Sequence, residues 1–163
     1  MTNSFITVSA PHRPVKVFLA GSIEMGNASK WQTQLTLQVI NGGKPFIVLN
    51  PRRDDWDSSW EQDPSAGTEF SEQVDWELDM IDDSDVVFFY FDPNTKSPIS
   101  LLELGYVVAK NKPLYVVCPE DFYRYGNVIK TLERSKAKFK VHTTALPSHI
   151  AYVVGEYEKS LTH

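Results

Sequence analysis

Short apolar runs alternate with amphipathic stretches along nearly the whole chain. VKVFLAG at 15–21 is rich in β-formers and stops at Gly21, so it predicts a buried strand. ASKWQTQLTLQVI at 28–40 places Trp31, Leu35, Val39 and Ile40 at helical spacing and ends at Asn41-Gly42-Gly43. PFIVLN at 45–50 is a second strand, followed by a long polar loop, PRRDDWDSSWEQDPSAGT, at 51–68. FSEQVDWELDMIDD at 70–83 predicts a helix with Phe70, Val74, Leu78 and Ile81 on one face. DVVFFYF at 85–91 is a third strand with both faces apolar, and a helix follows over 98–111. KPLYVVC at 112–118 gives a fourth strand, 123–137 a helix, FKVH at 139–142 a weak edge strand, and 146–161 a last helix. Residues 1–14, ending in Pro11 and Pro14, read as a flexible arm, and 15–163 as one domain.

Strands that recur every 25–30 residues between helices, as continuous apolar runs, indicate a parallel sheet of about five strands covered on both faces. Ligands in such α/β domains bind beyond the carboxyl ends of the strands. The pattern therefore nominates the segments after each strand: Gly21-Ser22-Ile23-Glu24, Asn50-Pro51-Arg52-Arg53, Phe91-Asp92-Pro93-Asn94 and Pro119-Glu120-Asp121. The start of the helix after the third strand lies on the same rim.

Composition narrows the classes. The 163 residues carry a formal charge of −5 with no run of Lys or Arg, which argues against a nucleic-acid polymer as partner. The single cysteine, Cys118, excludes an internal disulfide and lies in an apolar run, as a buried, inert thiol would. His12, His142, His149 and His163 have no metal-ligand spacing, so no structural metal is expected. MTNSFITVSAPHRP lacks the features of a signal peptide, and no apolar run is long enough to cross a bilayer. A cytoplasmic domain is the expectation.

The segment SPISLLELGY at 97–106 sets one carboxylate, Glu103, among leucines. Ser100 and Glu103 match the S-x-x-E capping box, and Ser97-Pro98 also reads as a helix start, with Ser97 at the N-cap and Pro98 at the first helical position. In the first reading Glu103 caps a helix. In the second it lies past the cap, near the positive end of the helix dipole, which favours its anionic form. A partner carboxylate would matter, because glycosidic bond cleavage uses two, one as nucleophile and one as acid/base. The helix DWELDMIDDSD offers several; Asp75, Asp79 and Asp82 share one stripe, and Glu77 points to another side. Trp56 and Trp60 in the long polar loop are costly to leave in water and suit either stacking on a planar ligand or folding back on the surface. The AGSIEMGN rim has no G-x-G-x-x-G and no P-loop pattern, and Glu24 disfavours a phosphate there.

VFLAGS, LNPRR, the acidic helix before DVVFFYF, SPISLLELGY and GNV at 126–128 follow one another in that order. As an ordered set over residues 15–135 they resemble the nucleoside 2-deoxyribosyltransferase family, particularly the nucleoside 2-deoxyribosyltransferase-like branch with an NPRR segment. The resemblance implies a flavodoxin-like doubly wound sheet, a homo-oligomer with shared active sites, and a role in nucleotide salvage. It makes Glu103 the nucleophile that attacks C1′ of a 2′-deoxynucleoside. Glu77 falls on the family's acid/base position, where Asp is usual, with Asp75 and Asp79 as alternatives. Asn127 matches an Asn donated across the subunit interface toward the sugar. Gly21, Ser22, Asp79 and Ser97 would bind the sugar side, and Arg52, Trp56 and Trp60 the base side. The substrates would be a nucleoside and a free nucleobase, and the carboxylate pair needs no metal or organic cofactor.

Two departures bear on the implied chemistry. Phe18 stands where the family often has a Tyr whose hydroxyl contacts the nucleophile. Glu24 and Asn127 replace the Arg and Ser with which nucleotide-hydrolysing relatives hold a 5′-phosphate, which favours a nucleoside. Three functions remain open at this point: a transferase between bases, an N-glycoside hydrolase, and a non-catalytic nucleoside-binding module.

Overall fold

The computed structural model describes residues 14–22, 31–33, 36, 46–51 and 59–143. The expected arm, Glu24, Arg52, Trp56 and the last helix lie outside these residues, as does most of 28–40, although 31–33 and 36 are helical. Five strands, β1 (Val15–Gly21), β2 (Phe46–Leu49), β3 (Val86–Tyr90), β4 (Leu114–Val117) and β5 (Phe139–His142), pair in parallel in the order β2-β1-β3-β4-β5. Among the described residues, the connections after β2 hold three helices: α1 (Glu69–Asp83), α2 (Pro98–Ala109) and α3 (Tyr125–Arg134). This is the parallel sheet expected from the strand–helix alternation, in the single-domain, flavodoxin-like arrangement that the family resemblance implies.

The strand side chains divide between the two faces of the sheet because successive residues point to opposite sides. Phe18, Ala20, Val87, Phe89, Val116 and Cys118 meet Ile81 of α1, Leu104 and Val107 of α2, and Val128 and Leu132 of α3. Val17, Leu19, Phe88, Tyr115 and Val117 pack on the other face with Trp31. The central strands β1, β3 and β4 are almost wholly buried, whereas the edge strands β2 and β5 are partly exposed. That explains why the central strands read as unbroken apolar runs and FKVH did not.

Helix ends fall where the local chemistry changes. Thr68 caps α1 by accepting from Ser71 N–H at 3.1 Å. α2 stops two residues short of the expected 98–111, because Asn111 turns into the left-handed region at φ 54°. α3 is shorter than the expected 123–137: Tyr123 and Arg124 belong to the turn before it, and Ser135 is extended.

β1 has β2 on one side and β3 on the other, so the chain leaves it in opposite directions. The crevice at such a reversal is where ligands bind in open α/β sheets. Gly21 ends β1 beside Tyr90 at the end of β3. A Cβ at Gly21 would lie 2.2 Å from the Tyr90 carbonyl oxygen, and its φ of 135° also requires glycine.

Candidate active site

The rim at the β1–β3 crevice is held by hydroxyl groups. Ser22 Oγ lies 2.6 Å from Ser97 Oγ, Thr95 Oγ1 lies 2.7 Å from Ser97 Oγ, and Thr95 donates to Ser22 Oγ at 2.9 Å. All three are buried. Asp92 N–H donates to Ser22 Oγ at 2.7 Å, so the cluster also fixes the loop after β3. Asp92 itself accepts from the backbone N–H of Asn94 at 2.9 Å, an Asx turn that shapes this loop. From the other face of the sheet, Trp31 Nε1 donates to the Ser22 carbonyl at 3.1 Å.

Ser97 is the N-cap of α2 and Pro98 its first residue, as one of the two sequence readings has it. The capping box does not form: Ser100 lies inside the helix, and Glu103 is a further turn on. Nor does the Ser97 side chain cap the helix. Its backbone is left-handed, at φ 49° and ψ 48°, which turns its hydroxyl to the cluster. A non-glycine residue held there stores strain that its surroundings must offset.

On α2, Ser100, Glu103, Leu104 and Val107 form the buried stripe. Glu103 is 9 % exposed. Burial pushes its carboxyl up to about 8, and the like charge of Glu77 adds to the rise. The helix dipole, expected to favour the anion, is therefore outweighed by desolvation. Glu77 sits on α1 in the stripe Gln73–Glu77–Ile81, and burial raises its carboxyl too. Gln73 Nε2 donates to Glu77 Oε1 at 2.8 Å and opposes that rise. The charge of Glu77 on α1 thus reaches Glu103 on α2 and disfavours its ionisation. No cation among the described residues perturbs either of them. Carboxyls that act on one another in this way titrate as a pair, and its singly protonated form is the one in which one carboxylate can attack while the other donates.

The remaining expected site residues fall in different places. Gly21, Ser22 and Ser97 lie together in the buried cluster at the rim. Asp75 and Asp79 are exposed on the side of α1 away from the Gln73–Glu77–Ile81 stripe, and neither pairs with Glu103. Asn127 lines a cleft of about 290 Å³ between α2 and α3 with Leu101, Gly105 and Arg124, and Glu103 does not line it. Trp60 is half-buried. Phe18 is fully buried in the core that includes Leu104 and Val107. Cys118 is buried, and that burial pushes its thiol up to about 12, which matches the inert thiol expected. No group of metal-ligating side chains is present among the described residues, and no helix there is long and apolar enough to cross a membrane. Two residues escaped the sequence reading. Thr95 carried no signal, but Gln73 stands four residues before Glu77, the spacing at which helical side chains touch.

A family model described as "Nucleoside 2-deoxyribosyltransferase like" matches residues 14–122, from the start of β1 through the loop after β4. The chain belongs to that family. Membership supports a nucleoside-related role at that general level. The fold is also similar to the crystal structure of a conserved protein from Enterococcus faecalis V583, at 13 % identity and a TM-score of 0.59, covering 90 % of this chain and 98 % of the other. No curated protein matches the chain.

Proposed function

We propose that the protein transfers a 2-deoxyribosyl group between nucleobases through a covalent glycosyl–Glu103 intermediate. The observation that carries this reading is the buried Glu103 on α2 lying within electrostatic reach of the half-buried Glu77 on α1. In the first half-reaction an oxygen of ionised Glu103 forms a bond to C1′ of the deoxynucleoside. The C1′–N bond breaks, the base leaves with the electron pair, and the proton of Glu77 passes to it. In the second, an incoming base attacks C1′, Glu103 leaves as carboxylate, and Glu77 recovers a proton from the new base. Two displacements at one carbon give net retention. Water in place of the second base gives the hydrolase outcome by the same route.

Because Glu103 is held near 8, the empty site keeps it mostly protonated at neutral pH, and attack requires that proton to move to Glu77 or leave. Ser22 and Ser97 direct their hydroxyls at one another, so their part is to fix the rim and the start of α2. Gly21 brings the backbone close to the crevice. Arg52, Trp56 and Trp60 are proposed for the base side, and Asp79 for the sugar side. Asn127 serves a neighbouring subunit. Ile99 and Leu102, 56 % and 71 % exposed, give α2 an apolar outer side that a second copy of the chain would cover, which supports a homo-oligomer.

Incubation with a 2′-deoxynucleoside and a different free base tests the reaction, with exchanged nucleoside as the expected product. Intact mass after brief exposure to a 2-fluoro-2-deoxynucleoside should show one sugar adduct in the wild type and none in Glu103→Ala. Exchange that survives in Glu103→Ala would overturn the assignment.

A further inference from the structure

We propose that Gln73 is a positioning residue: its side-chain amide pins one oxygen of Glu77 to α1 and so fixes the orientation of the carboxyl that serves as the acid/base partner of Glu103. The hydrogen bond runs 2.8 Å from Gln73 Nε2 to Glu77 Oε1. Gln73 is itself buried, one helical turn before Glu77, so the amide is fixed by packing and the bond is shielded from water. Among the described residues, burial and Gln73 are what act on the ionisation of Glu77, and the charge of Glu77 in turn acts on Glu103. An amide N–H can only donate to a carboxylate oxygen, and it stabilises the ionised form. Among the described residues no donor of that kind contributes to the ionisation of Glu103.

Gln73 therefore breaks the symmetry of the pair. It assigns to Glu77 a fixed orientation and an earlier loss of its proton, and to Glu103 the later one. A free carboxyl would exchange its two oxygens; the pinned one keeps Oε1 as the acceptor of the amide, so the proton it passes to a departing base is carried on Oε2 in a defined direction. The catalytic consequence rests on the glycosyl-transfer reading above, but the pinning does not.

The test separates the two. Gln73→Met keeps the length of the side chain and removes the donor. In the full-length protein, the ¹³C carboxyl resonance of Glu77 is followed against pH by NMR. The midpoint should move to higher pH in Gln73→Met, with near-ultraviolet circular dichroism unchanged. A midpoint that does not move overturns the proposal. In base exchange, kcat should fall roughly tenfold, a fraction of the 10²–10⁴ that a positioned acid supplies, with KM little changed. The acidic limb of kcat/KM should move to higher pH, and a Glu77→Gln background should abolish the effect of Gln73→Met. A moved midpoint with unaltered kinetics overturns the positioning role. A moved midpoint in a protein without exchange activity leaves the pinning in place and refutes only the glycosyl-transfer reading.

Discussion

Ser22 and Ser97 meet hydroxyl to hydroxyl at 2.6 Å, joining the end of β1 to the first turn of the helix that carries Glu103. The contact accounts for the left-handed backbone at Ser97, because that conformation is what turns the side chain away from its own helix and into the cluster with Thr95. The two effects at Ser97, strain and hydrogen bonding, can be separated by substitution. Ser97→Ala should cost about 1–3 kcal/mol, since it leaves buried hydroxyls short of a partner while keeping the strain. Ser97→Gly should cost about 1 kcal/mol less than Ser97→Ala, because glycine accepts a positive φ freely. Urea unfolding of the two variants measures the difference, and equal losses would mean that Ser97 stores no strain.

The close approach at the end of β1 makes a sharper prediction. Gly21→Ala places a methyl against the Tyr90 backbone, and neither strand can retreat without breaking the β1–β3 ladder. The loss should be on the order of 4 kcal/mol, at the high end for a single substitution. Thermal unfolding followed by circular dichroism reads it; a cost below that of an ordinary surface change would show that the strand end can move.

Glu103 should make the protein less stable as pH rises. Its folded value of about 8 lies above the ordinary 4.5, so between these values the unfolded chain has released a proton that the folded one still holds. Stability from this group is complete below about 4.5 and is lost through about 8, at a limiting slope of about 1.4 kcal/mol per pH unit. Glu103→Gln, which cannot ionise, should flatten the decline. Denaturant midpoints of both proteins from pH 5 to 9 check this, and parallel curves would place the titrating group elsewhere.

Cys118 should resist alkylation. Burial holds its thiol near 12, so almost no thiolate is present at neutral pH. Native protein treated with iodoacetamide should remain unmodified by mass, while protein unfolded in guanidinium should gain one adduct.

The fold was legible because parallel strands buried on both faces must be apolar throughout, and VFLAG, VVFFY and LYVV are. Boundaries were harder to place. α2 ends at Ala109 because Asn111 adopts a left-handed turn, two residues before the end at 111 expected from the sequence. Within the site, Glu77 stood out from Asp75 and Asp79 only through the family register. The structure supplies the physical reason, since Glu77 shares a stripe with Ile81 while the two aspartates face water. The hydroxyl cluster was out of reach. Ser22 and Ser97 were singled out separately as sugar-binding residues, and nothing in a one-dimensional pattern says that two serines 75 positions apart are hydrogen-bonded to each other.

That separation also governs how the protein comes to have a site at all. Ser22 bonds residues 68 to 75 positions away, and the β1–β3 ladder beneath it closes loops of similar length. No local segment can assemble the crevice in advance, so the rim forms only once two distant strands have found each other, a slow search in folding terms. During synthesis, β1 would emerge and wait through all of β2 and α1 before its central neighbour exists. Competence for ligand should therefore appear late and all at once, with the docking of β3 rather than with the formation of any one helix.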